Sequence, residues 1–531
     1  MTTPNFDRRE FLRVATIASG AATIAAVSVP SQARADDSAS PDGKGDPRAV
    51  FQHGVASGDP LPDGIVLWTR VTPSDDAQPG SGLGRPAAVQ WEIDTSAEFR
   101  SPIQKGVAHT GPERDHTVQV DVRGLEPGKR YFYRFRLGST SSLVGRTKTA
   151  PHTSAALPGL RFGVVSCANY EFGYFGAYRH LAKRDDLDAI LHLGDYIYEF
   201  ASKVNTSDAK LVVRPHAPAN ECHTLADYRT RYGQYHSDPD LQALHASAPL
   251  IATWDDHEIA GNDWSGGSED HDPATDGPWE TRVAAAKQAY FEWIPIRTSF
   301  AGTTRRRLIF GQLAELNMLD LRSFRSKQVT ADQLDLINDP SRTITGRAQM
   351  DWLKANLAEK TATWNFIGSS VMAMPWKVPN GKPTPGVNTD QWDGYGADQH
   401  ELFSYLQDRD RRNTVFLSGD IHSSWAGTIT SSGDSLPIAT QLVVPAVTSN
   451  ALGAFIPQSQ AFLSGILKLN PAIKWGEIVS NGCGLLDITP SRVQMDWYRV
   501  DKTVANSGAT WMNSMTVDAT TLNLGNIATP I

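Results

Sequence analysis

The sequence predicts two folding units: a small all-β sandwich, then a larger α/β (α+β) body in which two sheets pack face to face with helices outside. Three observations point there. Between residues 50 and 149, short runs alternate apolar and polar residues and are broken by turn signals. From residue 160 onward, continuous apolar runs alternate with stretches of helical spacing, the pattern of strands buried on both faces. Strand texture returns near the end, around 441–447 and 484–500, and strands at both ends call for two sheets. A length of 531 residues also exceeds one ordinary core.

Composition bounds the rest. Hydrophobic residues make up 40% and charged residues 20%, as in a globular protein. A net charge of -8 argues against a nucleic-acid-binding surface driven by phosphate neutralisation. It does not argue against a site that holds phosphate on bound metal ions, whose charge is local. Cys167, Cys222 and Cys483 are too few for a disulfide scaffold, and a Cys222–Cys483 bridge leaving Cys167 free is an option in an oxidising compartment.

Residues 1–35 read as an export signal. Asp7-Arg8-Arg9-Glu10-Phe11-Leu12-Arg13 precedes a weakly apolar run over 14–29 and a small-x-small cleavage site, Ala33-Arg34-Ala35. The paired arginines before x-Phe-Leu resemble a twin-arginine signal. That implies the twin-arginine translocase as a partner, a secreted or extracytoplasmic location (periplasm or cell surface), and export in the folded state. The run is too short and dilute for a stable membrane span.

The β unit is expected over 48–150. Its strands are Gly64 to Val71, Ala88 to Asp94, Thr117 to Val122, Arg130 to Arg136 and a last one near 143–149. Their spacing suggests an immunoglobulin/fibronectin-like sandwich. It carries no cluster of catalytic residue types, so a packing or lid-like role is expected. Residues 150–159, with two prolines, read as a linker.

The second unit is expected over 158–525. A strand over 160–167 ends at Cys167, a helix is expected over 172–183, and the next strand, from Asp188, ends in Gly194-Asp195 with Tyr198 close behind. This βαβ unit would deliver Cys167 and Asp195 to one sheet edge. A thiolate there could ligate a metal or act as a nucleophile, while Asp195 and Tyr198 supply anionic oxygen for a hard cation. A third strand runs into Asp255-Asp256-His257-Glu258, with Asn262 following. Two carboxylates, an imidazole and an amide at one strand end are hard to explain by packing. A helix is expected over 279–293 and a hairpin about Gly311, ending in Asp320-Leu321-Arg322. Arg322 could present its fork to a phosphate or pair with Asp320. A helix over 348–357 and an apolar strand over 364–372 follow, the strand ending with no strong ligand type. The strand from Asn413 then meets Gly419-Asp420-Ile421-His422, a second Gly-Asp device. In an extended loop Asp420 and His422 would point the same way.

Taken in order, Cys167, Gly194-Asp195-x-x-Tyr198, Asp255-Asp256-His257-Glu258 and Gly419-Asp420-x-His422 resemble the metallophosphoesterase block series. More narrowly, with Val55-Ala56-Ser57-Gly58-Asp59-Pro60, they resemble the PhoD-type alkaline phosphatase/phosphodiesterase family over nearly the whole mature chain. The resemblance implies a metallophosphoesterase-like two-sheet sandwich flanked by helices and a site like that of purple acid phosphatases. It implies Fe(3+) held by Cys167, Asp195, Tyr198 and His422, with Asp195 bridging, and Ca(2+) held by Asp420 with Asp256, Asn262 or both. A second calcium is implied without assignable ligands. The expected activity is hydrolysis of a small phosphate ester by a metal-activated water or hydroxide. His257 is the candidate proton donor and Arg322 a weaker candidate for holding phosphate. A phospholipase D-type action on phospholipids is the alternative within the family.

Overall fold

Residues 47–203, 212–297, 302–380, 386–430 and 437–531 are described by the computed structural model. The expected export signal lies outside them. Two large sheets face each other across the core. The first, of ten strands, runs in the order Leu524–Ile527, Thr510–Asp518, Arg492–Val500, Asn481–Ile488, Leu160–Val165, Ala189–Leu193, Leu250–Thr253, Val55–Leu61, Gly64–Arg70 and Thr117–Arg123. The second, of seven, runs Arg306–Phe310, Ala314–Met318, Trp364–Gly368, Thr414–Ser418, Ala439–Val443, Ser424–Ile429 and Ile473–Glu477.

The centre of each sheet is parallel, and those strands are buried along their length except at Arg161. Their inward residues share one apolar layer: Phe162, Val164, Leu191, Leu193 and Ile251 from the first sheet, Leu316, Phe366, Val415, Leu417 and Leu442 from the second. The outer face of the first sheet is covered by the helices Gly176–Ala182, Leu225–His236, Pro239–His245 and Trp279–Trp293. Arg347–Ala358, Gly396–Asp408 and Ser459–Leu469 cover the second.

Several expectations shift. The helix expected over 172–183 begins at Gly176 after a 3-10 turn, Tyr170–Phe172. Gly173 intervenes with an extended backbone, and a Cβ there would meet Lys502 at 2.7 Å. The strand expected over 364–372 stops at Gly368, because Ser370 turns away to donate to Asp255 at 2.9 Å. The strand expected over 441–447 is Ala439–Val443, and the residues after it fold over Cys167. The optional Cys222–Cys483 bridge is not formed: the three cysteines are free and buried.

The larger difference concerns the N-terminal unit. Its strands Val55–Leu61, Gly64–Arg70 and Thr117–Arg123 belong to the first large sheet, joined by parallel pairing of Gly58 with Leu250. A five-stranded sheet built on Ala87–Asp94 and Arg130–Leu137 closes the sandwich over Ile65, Leu67, Val89, Ile93, Val122 and Tyr133. The two units are therefore continuous through backbone pairing, of which composition gives no sign.

Close approach at the carboxyl ends depends on two glycines, Gly194 between neighbouring strands of the first sheet and Gly419 between the two sheets. A Cβ on Gly194 would lie 2.6 Å from Asp255 Cβ, and one on Gly419 would lie 1.9 Å from Ser166 Oγ. Gly419→Ala should cost about 1–3 kcal/mol in denaturant unfolding, whereas Gly508→Ala, which meets nothing within 4 Å, should stay within about 0.5 kcal/mol of wild type.

Candidate metal centre

The carboxyl ends of both parallel centres open on one cavity of about 200 Å³. Asn169, Tyr198, Asp256, His257, Asn262, Asp270, Asp390, Asp420 and His422 line its polar part, and Phe172, Phe200, Trp376, Ile421, Leu452 and Phe455 its apolar part. No described residue of the N-terminal unit lines it.

The strand ends converge as their spacing predicts. Ligand atoms of Cys167, Asp195 and His422 lie within 4.8 Å of one another, as do those of Asp195, Asp256 and His257, and those of Asp255, Asp256 and Asp420. The groups overlap through Asp195 and Asp256, which makes one continuous polar centre. Asp420 and His422 go to different groups. Their loop is not extended, since both residues adopt positive φ, 62° and 48°. Cys167 (58°), Asp195 (54°) and Asn262 (52°) share that left-handed backbone. Such conformations are uncommon outside glycine and concentrate where a site imposes them.

The donors are held by their neighbours. Tyr198 Oη donates to Asp195 Oδ2 at 2.7 Å and lies 3.1 Å from His422 Nε2. His422 Nδ1 faces the Asn450 carbonyl at 3.0 Å, so it must donate there, which turns Nε2 toward Tyr198 and the Cys167–Asp195 group. Asp256 Oδ2 accepts from Asn262 N–H at 2.7 Å, and Asn262 Nδ2 donates to Glu269 at 2.9 Å. That fixes the amide and leaves Asn262 Oδ1 buried with no hydrogen-bond donor, a poised oxygen ligand. Asp420 Oδ2 accepts from Gln391 Nε2 at 2.6 Å.

His257 stacks on Tyr198 with ring centroids 4.2 Å apart. Its Nδ1 lies 2.8 Å from Glu199 Oε2 and its Nε2 3.8 Å from Asp256. Burial works to keep this imidazole neutral, but Asp256, Glu199 and Asp195 outweigh it and lift its pKa to about 10. Cations held by those carboxylates would take back part of that rise.

Arg322 is a correction. It is fully buried, lines no part of the cavity, and is not ion-paired with Asp320, whose Oδ1 accepts its backbone N–H instead. Its Nε donates to Asp255 at 2.5 Å and its Nη atoms to Asp390 at 3.1 and 3.3 Å. Asp256 and Asp420 lie 3.7 Å from Nη2. It is a clamp beneath the acidic cluster rather than a free fork facing substrate.

Sequence reasoning missed other parts of this shell. Glu258 does not face the cavity: it accepts from the N–H groups of Asp195, Tyr196 and Asp255, tying two strand ends together. Arg231, fully buried, donates to the carbonyls of Tyr198, Phe200, Ala217 and Pro218 and so shapes the loop that carries Tyr198. Asp390 and Gln391 sit in a loop that no apolar strand feeds, so nothing marked them. Glu258 did carry a signal, since it closes the Asp255-Asp256-His257-Glu258 run, and Glu199 directly follows Tyr198.

The donor set is mixed: a thiolate and imidazole beside a phenol on one side, carboxylates and an amide oxygen on the other. That chemistry fits a transition metal next to a harder cation. Fold and site together define a metal-dependent phosphoesterase. Two family models match the chain, PhoD-like phosphatase over residues 162–497 and the PhoD-like phosphatase N-terminal domain over 37–151. Alkaline phosphatase D of Bacillus subtilis (strain 168) is 36% identical over 522 residues, covering 95% of this chain and 86% of that one. A solved structure of PhoD superposes with a TM-score of 0.83 at 33% identity, covering 93% of this chain and 94% of that one. The chain belongs to the PhoD-like phosphatase family.

The clamp reading of Arg322 is checked by stability. Arg322→Ala should lose about 3–5 kcal/mol in urea unfolding, because it strands buried carboxylates, and Arg322→Lys should not restore the loss, lacking the planar fork. Unchanged stability with a raised KM would return Arg322 to the role of phosphate anchor.

Proposed function

We propose that this chain is an extracytoplasmic phosphoesterase that holds Fe(3+) and Ca(2+) in the converging strand ends. Iron is assigned to Cys167, Asp195, Tyr198 and His422, and calcium to Asp420 with Asp256 and Asn262. The observation that carries the reading is the overlap of three ligand groups through Asp195 and Asp256, the arrangement a bridged pair of cations needs. The Asn262 oxygen buried without a donor supports its inclusion beside Asp256. When bound, such cations supply Lewis acidity toward a phosphoryl group and lower the pKa of solvent beside it.

The chain's own residues do the rest. His257, oriented by Glu199, is the proton source for the departing alkoxide. Tyr198 stacks on it and limits its rotation. The apolar wall of Phe172, Phe200, Trp376, Ile421, Leu452 and Phe455 accepts the organic part of the ester. That wall also favours a second reading, a phospholipase D-type phosphodiesterase. Rates on a monoester, a diester and phosphatidylcholine separate the two.

Elemental analysis of protein purified without added metals should find iron, and calcium chelation should abolish turnover. Full activity in strong chelator with no iron present would remove the assignment. His257→Ala should lower kcat by about 10²–10⁴-fold and leave metal content unchanged; wild-type turnover would take His257 out of the mechanism. Export through the twin-arginine translocase rests on Arg8-Arg9. Replacing both by Lys should retain the protein in the cytoplasm, and undiminished export would contradict that route.

A further inference from the structure

A second cluster of metal-ligand types shares no residue with the centre above. Ligand atoms of His223, His271 and Asp276 lie within 4.8 Å of one another. His223 directly precedes Thr224, whose side chain caps the helix Leu225–His236 in a reciprocal capping box with Asp227. Asp276 closes the short helix Pro273–Asp276, and its Oδ2 accepts from Asp272 N–H at 2.9 Å. Two segments about fifty residues apart in sequence thus meet at one point.

His271 carries the independent sign of a ligand. Its side chain is only 1% exposed. Nε2 lies 3.0 Å from the Gly277 carbonyl, to which it can only donate. That leaves Nδ1 as the basic nitrogen, buried without a hydrogen-bond partner and 3.9 Å from Asp276 Oδ2. A ring N–H fixed on a backbone carbonyl with the other nitrogen turned to a carboxylate and a second imidazole is the arrangement of a metal-binding histidine. His223 Nδ1 is likewise buried without a hydrogen-bond partner. An orphaned imidazole nitrogen costs stability unless something occupies it.

We infer that His223, His271 and Asp276 form a second metal site, for Zn²⁺, separate from the catalytic centre. Two imidazoles and one carboxylate suit a borderline cation and not calcium or magnesium. Ligands of a tetrahedral zinc stand about 3.4 Å apart, given bonds of about 2.1 Å. The cluster is slightly wider, and His223 and Asp276, with side chains 26% and 21% exposed, have room to close on the ion. The same partial exposure leaves the fourth position to water.

The site acts as a staple. The segment from Gly261 to His271 forms part of the catalytic wall: Asn262 donates to Glu269, Ser268 Oγ donates to the Gly261 carbonyl, and Asp270 lines the cavity. Arg282 already ties this segment to the helix entry, donating to the Asp270 carbonyl at 3.3 Å and to Glu221 at 2.8 Å. Zinc on His223, His271 and Asp276 adds a stronger tie at the same place. It holds Glu269 against Asn262 and so keeps that oxygen aimed at the catalytic centre.

The test uses full-length exported enzyme, stripped with a chelator and dialysed against Zn²⁺. Any zinc taken up by the catalytic centre is common to wild type and variants, so the readout is a difference. Wild type should hold one zinc per chain more than His223→Ala and His271→Ala. Zinc should also raise the Tm of wild type further than that of either variant, and slow proteolysis between residues 263 and 277 in wild type alone. His223→Ala, at the partly exposed position, keeps the comparison open if His271→Ala fails to fold. Equal zinc content in wild type and His223→Ala overturns the site.

Discussion

Arg322 is the contact on which the site depends. Beneath a cavity that draws aspartates from four separate strand-end and loop segments, one guanidinium donates to Asp255 and Asp390 and stands 3.7 Å from Asp256 and Asp420. Arg325 adds a further bond to Asp390 at 2.9 Å. Buried carboxylates are costly unless paired, and removing their partner is costlier still. The clamp neutralises the lower ends of the cluster, which are Asp255 and Asp390. It leaves Asp195, Asp256 and Asp420 in excess toward the cavity. A surplus of buried anionic oxygen on one side of a fixed positive charge is a description of a cation site.

The second constraint is in the backbone. Cys167, Asp195, Asn262, Asp420 and His422 occupy left-handed conformations, each at a cost of about 1–3 kcal/mol. The surroundings hold them there. Thr448 and Ser449 donate to the Cys167 carbonyl, Glu258 accepts from Asp195 N–H, and Asp256 accepts from Asn262 N–H. Cys167, Asp195, Asp420 and His422 lie within four residues of a strand end, and the left-handed backbone there breaks the extended run that feeds them. Gly194 and Gly419 precede two of these residues and let the facing elements approach closely enough for the donors to meet.

The N-terminal unit contributes to this rigidity without reaching the cavity. It extends the first large sheet, and polar anchors tie it to the elements around that sheet: Trp68 Nε1 donates to the Glu292 carbonyl of the helix Trp279–Trp293 at 2.8 Å, and Asp59 pairs with Arg306 of the second sheet at 2.8 Å. Asp59 belongs to the Val55–Pro60 run that carried part of the family resemblance, and the structure gives that run a physical meaning. It is the strand that pairs with Leu250–Thr253, the strand leading into Asp255 and Asp256. Holding its amino end from the far side steadies a strand that leads into the acidic cluster.

Much of the site was legible in the chain itself. Strands buried on both faces must be apolar for their whole length, so a charged residue at the end of such a run stands out. That signal picked out Cys167, Asp195, Asp256, His257, Asp420 and His422. The structure joins them in overlapping ligand groups, with Asp256, His257, Asp420 and His422 lining the cavity. The same logic also suggested a catalytic use for Arg322, since a charge after an apolar strand reads alike whether it faces solvent or lies under the site. Asp390, Gln391 and Arg231 carried no mark, because they reach the site from loops or helix faces whose place depends on everything packed around them. Local composition thus determined which strands end in chemistry, through the cost of burying charge. Only the tertiary structure decided which charges face the cavity and which are spent holding it, since that depends on where the sheets, the N-terminal strands and the Asp390 loop meet.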